Sequence, residues 1–241
     1  MSYDPSKLPV WRRLLRRVAK RLVAWRYRNF TPTGRANRMA RVAGMRLLVR
    51  RGVFDPSMHF TSAVLARYLA RHPDRIAGLD VLDVGTGSGV AAIAAALSGA
   101  SRVVAVDINP AAAESARLNA SRYELLGKID VRLGDMFEPV RGETFAMVIC
   151  NPPYFKGTPS NVAEMAYHAG PTLDWLQRFG NNLAQALKPT GSAIISVGDA
   201  ADIDEILRLL HDCGWAHEVV AQRDILVEII YLFKLTRLPG S

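Results

Sequence analysis

The chain has 241 residues, 49% hydrophobic and 22% charged, a composition that suits one large globular domain, or one domain plus an appendage, and excludes disordered, collagen-like and coiled-coil proteins. Two cysteines, Cys150 and Cys213, cannot build a disulfide framework and lack metal-ligand spacing, so no metal site is expected and a reducing, cytoplasmic setting is. Charge is divided unevenly: residues 1–51 hold 15 Lys and Arg against one acid, a net of +14, and the remainder holds 16 basic and 21 acidic residues, a net of −5.

In chain order, Trp11, Leu14, Leu15, Val18, Leu22 and Trp25 recur at three- and four-residue spacing with arginines between them, which predicts a basic amphipathic helix. Its Arg-rich face suits the phosphates of RNA, an anionic membrane surface or an acidic protein, or is simply solvated. Thr31 to Gly34 break the pattern. A second helix is expected over 35–50, ending at Gly52, and a third over 61–71, ending before Pro73. The longest uncharged apolar run, residues 90–100, falls short of the ~20 residues of a membrane span, and the N-terminus carries charge where a signal peptide is apolar.

From Leu79 the pattern becomes short β-branched runs alternating with helices. Strands are expected at 79–84, 102–107, 129–133, 145–150 and 192–197, and helices at 90–97, 111–121, 173–187 and 203–211. Such alternation predicts an α/β, doubly wound, mostly parallel sheet covered on both faces. Runs at 215–222 and 226–235 are separated by only three residues, too few for a parallel crossover, so they should form an antiparallel hairpin at the sheet edge.

The first of these strands runs into Asp83-Val84-Gly85-Thr86-Gly87-Ser88-Gly89 and an Ala-rich helix. Glycines there allow a tight turn and close approach of a ligand, although a structural turn reads the same way. Asp107 ends the next strand, 18 residues beyond Gly89, where a carboxylate can accept both hydroxyls of a ribose. The same spacing occurs in nicotinamide enzymes, and Asp107 could instead cap the following helix. Asn109, directly before Pro110, is the better cap. Asp135, in Gly134-Asp135-Met136-Phe137, stands at the same edge and could accept from an adenine amine or merely cap its loop.

Asn151-Pro152-Pro153-Tyr154 leaves the fourth strand directly. Two prolines remove N–H donors, so the turn presents carbonyl and amide oxygens beside a flat aromatic ring, a set suited to the two protons of a planar NH₂ group.

These segments resemble, over about residues 53–235, the class I S-adenosylmethionine-dependent methyltransferases, most closely the HemK-like, release-factor glutamine methyltransferase branch. The likeness is carried by VLDVGTGSG, AVDINP, GDMF and ICNPPYF in the family's order, with FDPSMHFTS and LKPTGSAIISVG similar in layout. It implies a Rossmann-like methyltransferase domain over 53–241, which leaves the basic helical segment, 1–52, as an N-terminal extension. It also implies that Gly85, Gly87 and Gly89 line the methionine moiety of S-adenosylmethionine, that Asp83 supports its amino group, that Asp107 binds ribose, and that Asp135 and Met136 meet the adenine. Phe54, Pro56 and Thr61 are similar to the family's lid. Asn151 and the Pro152 carbonyl would accept the substrate's N–H bonds, with Pro153, Tyr154 and Phe155 around its planar group. The implied reaction is methyl transfer to a protein glutamine nitrogen in a translation factor or ribosomal protein. An RNA base amine (adenine N6 or guanine N2), a small-molecule amine and a non-catalytic cofactor-binding role are the alternatives, and a segment matching the release-factor enzymes' own N-terminal domain is missing from residues 1–51.

Overall fold

The computed structural model describes residues 36–225 and 228–240, with Leu15 and Val18, which are helical. The basic helix expected near residues 11–25 otherwise lies outside the described residues.

Residues 35–50 depart from expectation. In place of a helix, β1 (Arg38–Val42) and β2 (Met45–Val49) form an antiparallel hairpin in which Arg41 pairs with Arg46 and Val42 with Met45. The reason is a period of two that the helical reading overlooked: Ala40, Val42, Met45, Leu47 and Val49 all face inward. Ala43 and Gly44 make the turn with φ of 50° and 87°, the pair of positive values that a two-residue hairpin needs.

After helix α1 (Phe60–Arg71), the chain alternates strands and helices: β3 (Asp80–Val84), α2 (Val90–Leu97), β4 (Arg102–Asp107), α3 (Pro110–Arg122), β5 (Ile129–Leu133), β6 (Phe145–Cys150), α4 (Asp174–Ala186), β7 (Leu187–Gly198), α5 (Ile203–Asp212), β8 (Trp215–Asp224) and β9 (Ile229–Arg237). Seven strands lie in the order β5-β4-β3-β6-β7-β9-β8. The first five pair in parallel, and β9 runs antiparallel to both β7 and β8, as the short connection requires.

Alternation along the strands feeds two cores. Val81, Val103, Ala105 and Ile149 point into one formed with α1, α2, α3 and the hairpin, whereas Leu82, Val84, Val104, Val106 and Val148 point into the other, beneath α4 and α5. The hairpin is fastened to α3 by polar contacts within this packing. Buried Asn119 accepts from the Leu48 N–H at 2.7 Å and donates to the carbonyls of Leu48 and Ser88, both at 2.8 Å, and Ser115 donates to the Leu48 carbonyl at 2.6 Å. Among the described residues, no helix is long and apolar enough to cross a membrane.

Asn119 thus joins the hairpin to the loop before α2, and its loss strands buried backbone groups. Asn119→Ala should cost about 1 to 3 kcal/mol, read as a lower urea midpoint with an unchanged slope.

Candidate active site

The order of the strands reverses between β3 and β6, and the loops leaving their carboxyl ends part toward opposite faces of the sheet. A cleft of about 980 Å³, counted to its open mouth, lies there. Its floor is the turn between β3 and α2. Gly85 and Gly87 have φ of 72° and 57°, and a side chain on either would meet no atom within 4 Å, so bare backbone faces open space. The turn is pinned to β4 because the N–H groups of Gly85 and Thr86 donate to the Val106 carbonyl at 2.9 and 3.0 Å. Gly89 has a different task. Its Cα lies so near α3 that an added Cβ would stand 3.2 Å from the Ala116 Cα, and Gly89 is absent from the cleft lining.

Asp83, on the cleft wall, is almost wholly buried, and accepts from the Thr86 hydroxyl at 2.7 Å and the Ala92 N–H at 3.1 Å. Loss of water pushes its carboxyl up to about 7, against the lowering effect of these two donors, and the nearby Asp107 charge adds to the rise. Burial likewise raises the Asp107 carboxyl, opposed by the N–H groups of Asn109 and Gly87, which donate to its two oxygens at 2.9 and 2.8 Å. Asn109 takes the capping role, accepting from the Ala111 N–H at 3.0 Å, and leaves Asp107 at the strand end facing the cleft.

Asp135 and Met136 border the cleft beyond β5, where Met136 is buried with a φ of 52°. One Asp135 oxygen is ion-paired with Arg178 of α4, a partner the linear pattern does not reveal. Trp175 of the same helix also lines the cleft and stacks on Phe179 with ring centroids 5.4 Å apart.

Asn151 and Pro153 reach the cleft, and behind them a shallow recess of about 230 Å³, counted to its open mouth, is lined by Asn151, Pro152, Tyr154, Phe155, Thr61, Phe54, Ala166 and Tyr167. Asn151 therefore stands between the two cavities. Its Nδ2 donates to the Ser62 hydroxyl at 3.0 Å, and its Oδ1 accepts from the Ser196 hydroxyl at 2.8 Å. Thr61, expected beside the cofactor, faces the recess instead. Tyr154 is buried against Phe155, ring centroids 4.9 Å apart, and Phe155 exchanges backbone hydrogen bonds with Tyr167 and Ala169, closing the back of the recess.

The segment before α1 forms the outer wall. Phe54 and Pro56 line the cleft, and between them buried Asp55 is ion-paired with Arg38 of β1 and accepts from the N–H and hydroxyl of Ser57 at 3.0 and 2.7 Å. Phe54 also stacks on His59, with centroids 4.6 Å apart. Asp55, Ser62 and Ser196 went unread in the sequence because each acts through a partner at least 17 residues away.

A family model described as the methyltransferase small domain matches residues 44–222. A putative protein N5-glutamine methyltransferase of Methanocaldococcus jannaschii is 28% identical over 204 residues, covering 82% of this chain and 98% of that protein. The release factor glutamine methyltransferase of Koribacter versatilis is 33% identical over 145 residues, covering 54% of this chain and 50% of that protein. The ribosomal protein L11 methyltransferase of Pelotomaculum thermopropionicum is 44% identical over 95 residues, 39% of this chain, and the chain spans only 30% of that relative's length. Among solved structures, the T. thermophilus 16S rRNA N2 G1207 methyltransferase in complex with AdoMet and guanosine superposes with a TM-score of 0.63 at 22% identity, covering 83% of this chain and 50% of that one, a likeness of fold.

The state of Asp83 has a measurable consequence. The folded protein keeps this proton to about pH 7, whereas an unfolded Asp releases it near the ordinary 3.8, so the folded state binds more protons between those limits and stability falls as pH rises across them. Asp83→Asn should remove that slope and gain on the wild type by up to ~4 kcal/mol between pH 4 and pH 8, at about 1.4 kcal/mol per pKa unit. Urea titrations of both proteins across this range check it.

Proposed function

This chain belongs to the methyltransferase small-domain family, and on that premise we propose that it methylates the side-chain nitrogen of a protein glutamine, in a translation factor or ribosomal protein of the cytoplasm. The cofactor is S-adenosylmethionine. The observation that carries the reading is the position of Asn151, at the end of β6 and on the boundary between a cleft suited to that cofactor and a recess walled by Pro152 and Tyr154. The glutamine methyltransferase named above, aligned along 82% of the chain, supports it.

The residues present fit the cofactor. Gly85 and Gly87 leave room for it against bare backbone, and Asp107 offers a fixed carboxylate to a pair of hydroxyls. Asp83 would support the amino group, because a cation beside it favours the ionised carboxylate that burial opposes. Asp135 and Met136 would border the adenine, with Arg178 holding the carboxylate in place. When bound, S-adenosylmethionine supplies an electrophilic methyl group on a sulfonium leaving group, so a strong base is not needed for the transfer.

The chain's own residues then have to hold a poor nucleophile, because the lone pair of an amide nitrogen is delocalised. The Asn151 oxygen and the Pro152 carbonyl would accept its two N–H bonds, orienting it and favouring the positive charge that develops there. Tyr154 and Phe155 would pack against the planar group, and Pro153 would close the side toward the cleft. Positioning of this kind can lower the barrier by ~7 to 11 kcal/mol.

The net charge of +14 in residues 1–51 favours a second reading, in which the planar amine belongs to an RNA base and the basic segment grips phosphates. Tritium from labelled S-adenosylmethionine, followed into protein, RNA and small-molecule fractions of a lysate, separates the two: label in protein glutamine upholds the first, and label in RNA alone replaces it with the second. Asn151→Ala should abolish transfer with cofactor affinity nearly unchanged, because its contacts are to the acceptor. Asp107→Ala should do the reverse at the binding step, weakening the cofactor roughly ten- to a hundredfold by calorimetric titration, the worth of ~1.5 to 3 kcal/mol for a charge-assisted contact.

A further inference from the structure

Asn151 is held at both ends of its amide by serines that come from opposite sides of the chain. Ser62 sits in the first turn of α1, 89 residues away in sequence, and Ser196 sits within β7, 45 residues away. Ser196 is fully buried in the part of β7 that also holds buried Ala193, Ile194, Ile195 and Val197, and Ser62 is nearly so. A hydroxyl at such a place is costly unless it has a partner, and an alanine or valine would serve the packing equally well. The partner that each finds is Asn151.

Hydrogen-bond accounting gives the arrangement a purpose. An amide oxygen accepts two bonds and an amide nitrogen donates two. Ser196 takes one site on Oδ1 and Ser62 takes one on Nδ2, which holds the amide in one plane and leaves the second site on the oxygen for another donor. An asparagine without these two bonds would swing about its side-chain torsions and seldom present that site to the acceptor's N–H.

We propose that Ser62 and Ser196 are positioning residues that clamp the plane of the Asn151 amide, keeping the open acceptor site on its oxygen in reach of the methyl acceptor. The proposal rests on the reading that Asn151 contacts that acceptor. It also assigns a role to the wall of the cofactor cleft: Ser62 lies one helical turn beyond the Phe54 to Ser57 segment, which the Arg38–Asp55 pair fixes to β1, so the wall and the amide are held by one continuous piece of chain.

The test uses the full chain, labelled with ¹⁵N, and its Ser62→Ala, Ser196→Ala, Ser62→Thr and Asn151→Ala variants. The side-chain amide signal of Asn151 is identified by its loss in Asn151→Ala. In the wild type its protons should exchange slowly with solvent, and each serine-to-alanine change should speed that exchange by about tenfold, the worth of one hydrogen bond. Turnover at saturating S-adenosylmethionine, measured on the lysate fraction that the wild type labels, should fall about tenfold in each alanine variant while cofactor affinity stays constant, and Ser62→Thr, which keeps the hydroxyl, should restore it. A role confined to holding α1 on the sheet would instead lower the melting temperature and leave turnover intact. Wild-type turnover in the alanine variants, or unchanged amide exchange, overturns the clamp while an inactive Asn151→Ala keeps the proposed function standing. Full turnover in Asn151→Ala overturns both.

Discussion

Two adjacent parallel strands whose connections leave toward opposite faces cannot have their carboxyl ends covered by the same helix, and this constraint at β3 and β6 organises the molecule. The chain leaving β3 turns into α2 on one face, and the chain leaving β6 reaches α4 on the other. The gap between them is the cleft, and every strand that ends at its rim contributes there: Asp83 with the glycine turn, Asp107, Asp135 and Asn151. Four separate strand ends meet because parallel pairing aligns them, not because their residues are near in sequence.

Filling that gap with polar groups works against stability, and the structure shows where the opposition falls. Asp83 is buried with two donors that do not fully offset its lost hydration, so its carboxyl keeps a proton to about pH 7. The Cys150 thiol, at the end of β6, is pushed well above its usual range by burial first and then by the charges of Asp83 and Asp107, which makes it an inert packing residue. Several other buried polar side chains are bound: Asn119 to the hairpin, Asp55 to Arg38, and Ser196 to Asn151. Burial therefore opposes ionisation at both Asp83 and Asp107, the two carboxylates on the cleft wall.

The N-terminal hairpin is part of this body and not a separate layer. Its inward residues join the core of α1, α2 and α3, and Arg38 and Gly52 tie it to the wall and the capping residue of the cleft, the latter through the bond from Asn109 to the Gly52 carbonyl at 2.9 Å. The hairpin is thus joined to the wall of the cleft through named polar contacts.

Local periodicity determined the alternating strands and helices, the antiparallel edge and the turn residues, because these depend on which side chains recur at intervals of two or four and on where glycine and proline fall. The placement of Asp107, Gly85, Gly87 and Asn151 at the cleft was legible for the same reason, each standing at the end of a strand that could be recognised from its own residues. The hairpin at 38–49 was not, since five-residue strands fit both periods, and only burial against α3 selects between them. Gly89 looked like its neighbours Gly85 and Gly87, yet packing against Ala116 decides its task. Nothing local points from Asp55 to Arg38, from Ser62 or Ser196 to Asn151, or from Arg178 to Asp135. Their roles exist only once the sheet brings distant segments within 3 Å of one another, because a hydrogen bond depends on distance and direction, which residue order along a chain does not contain.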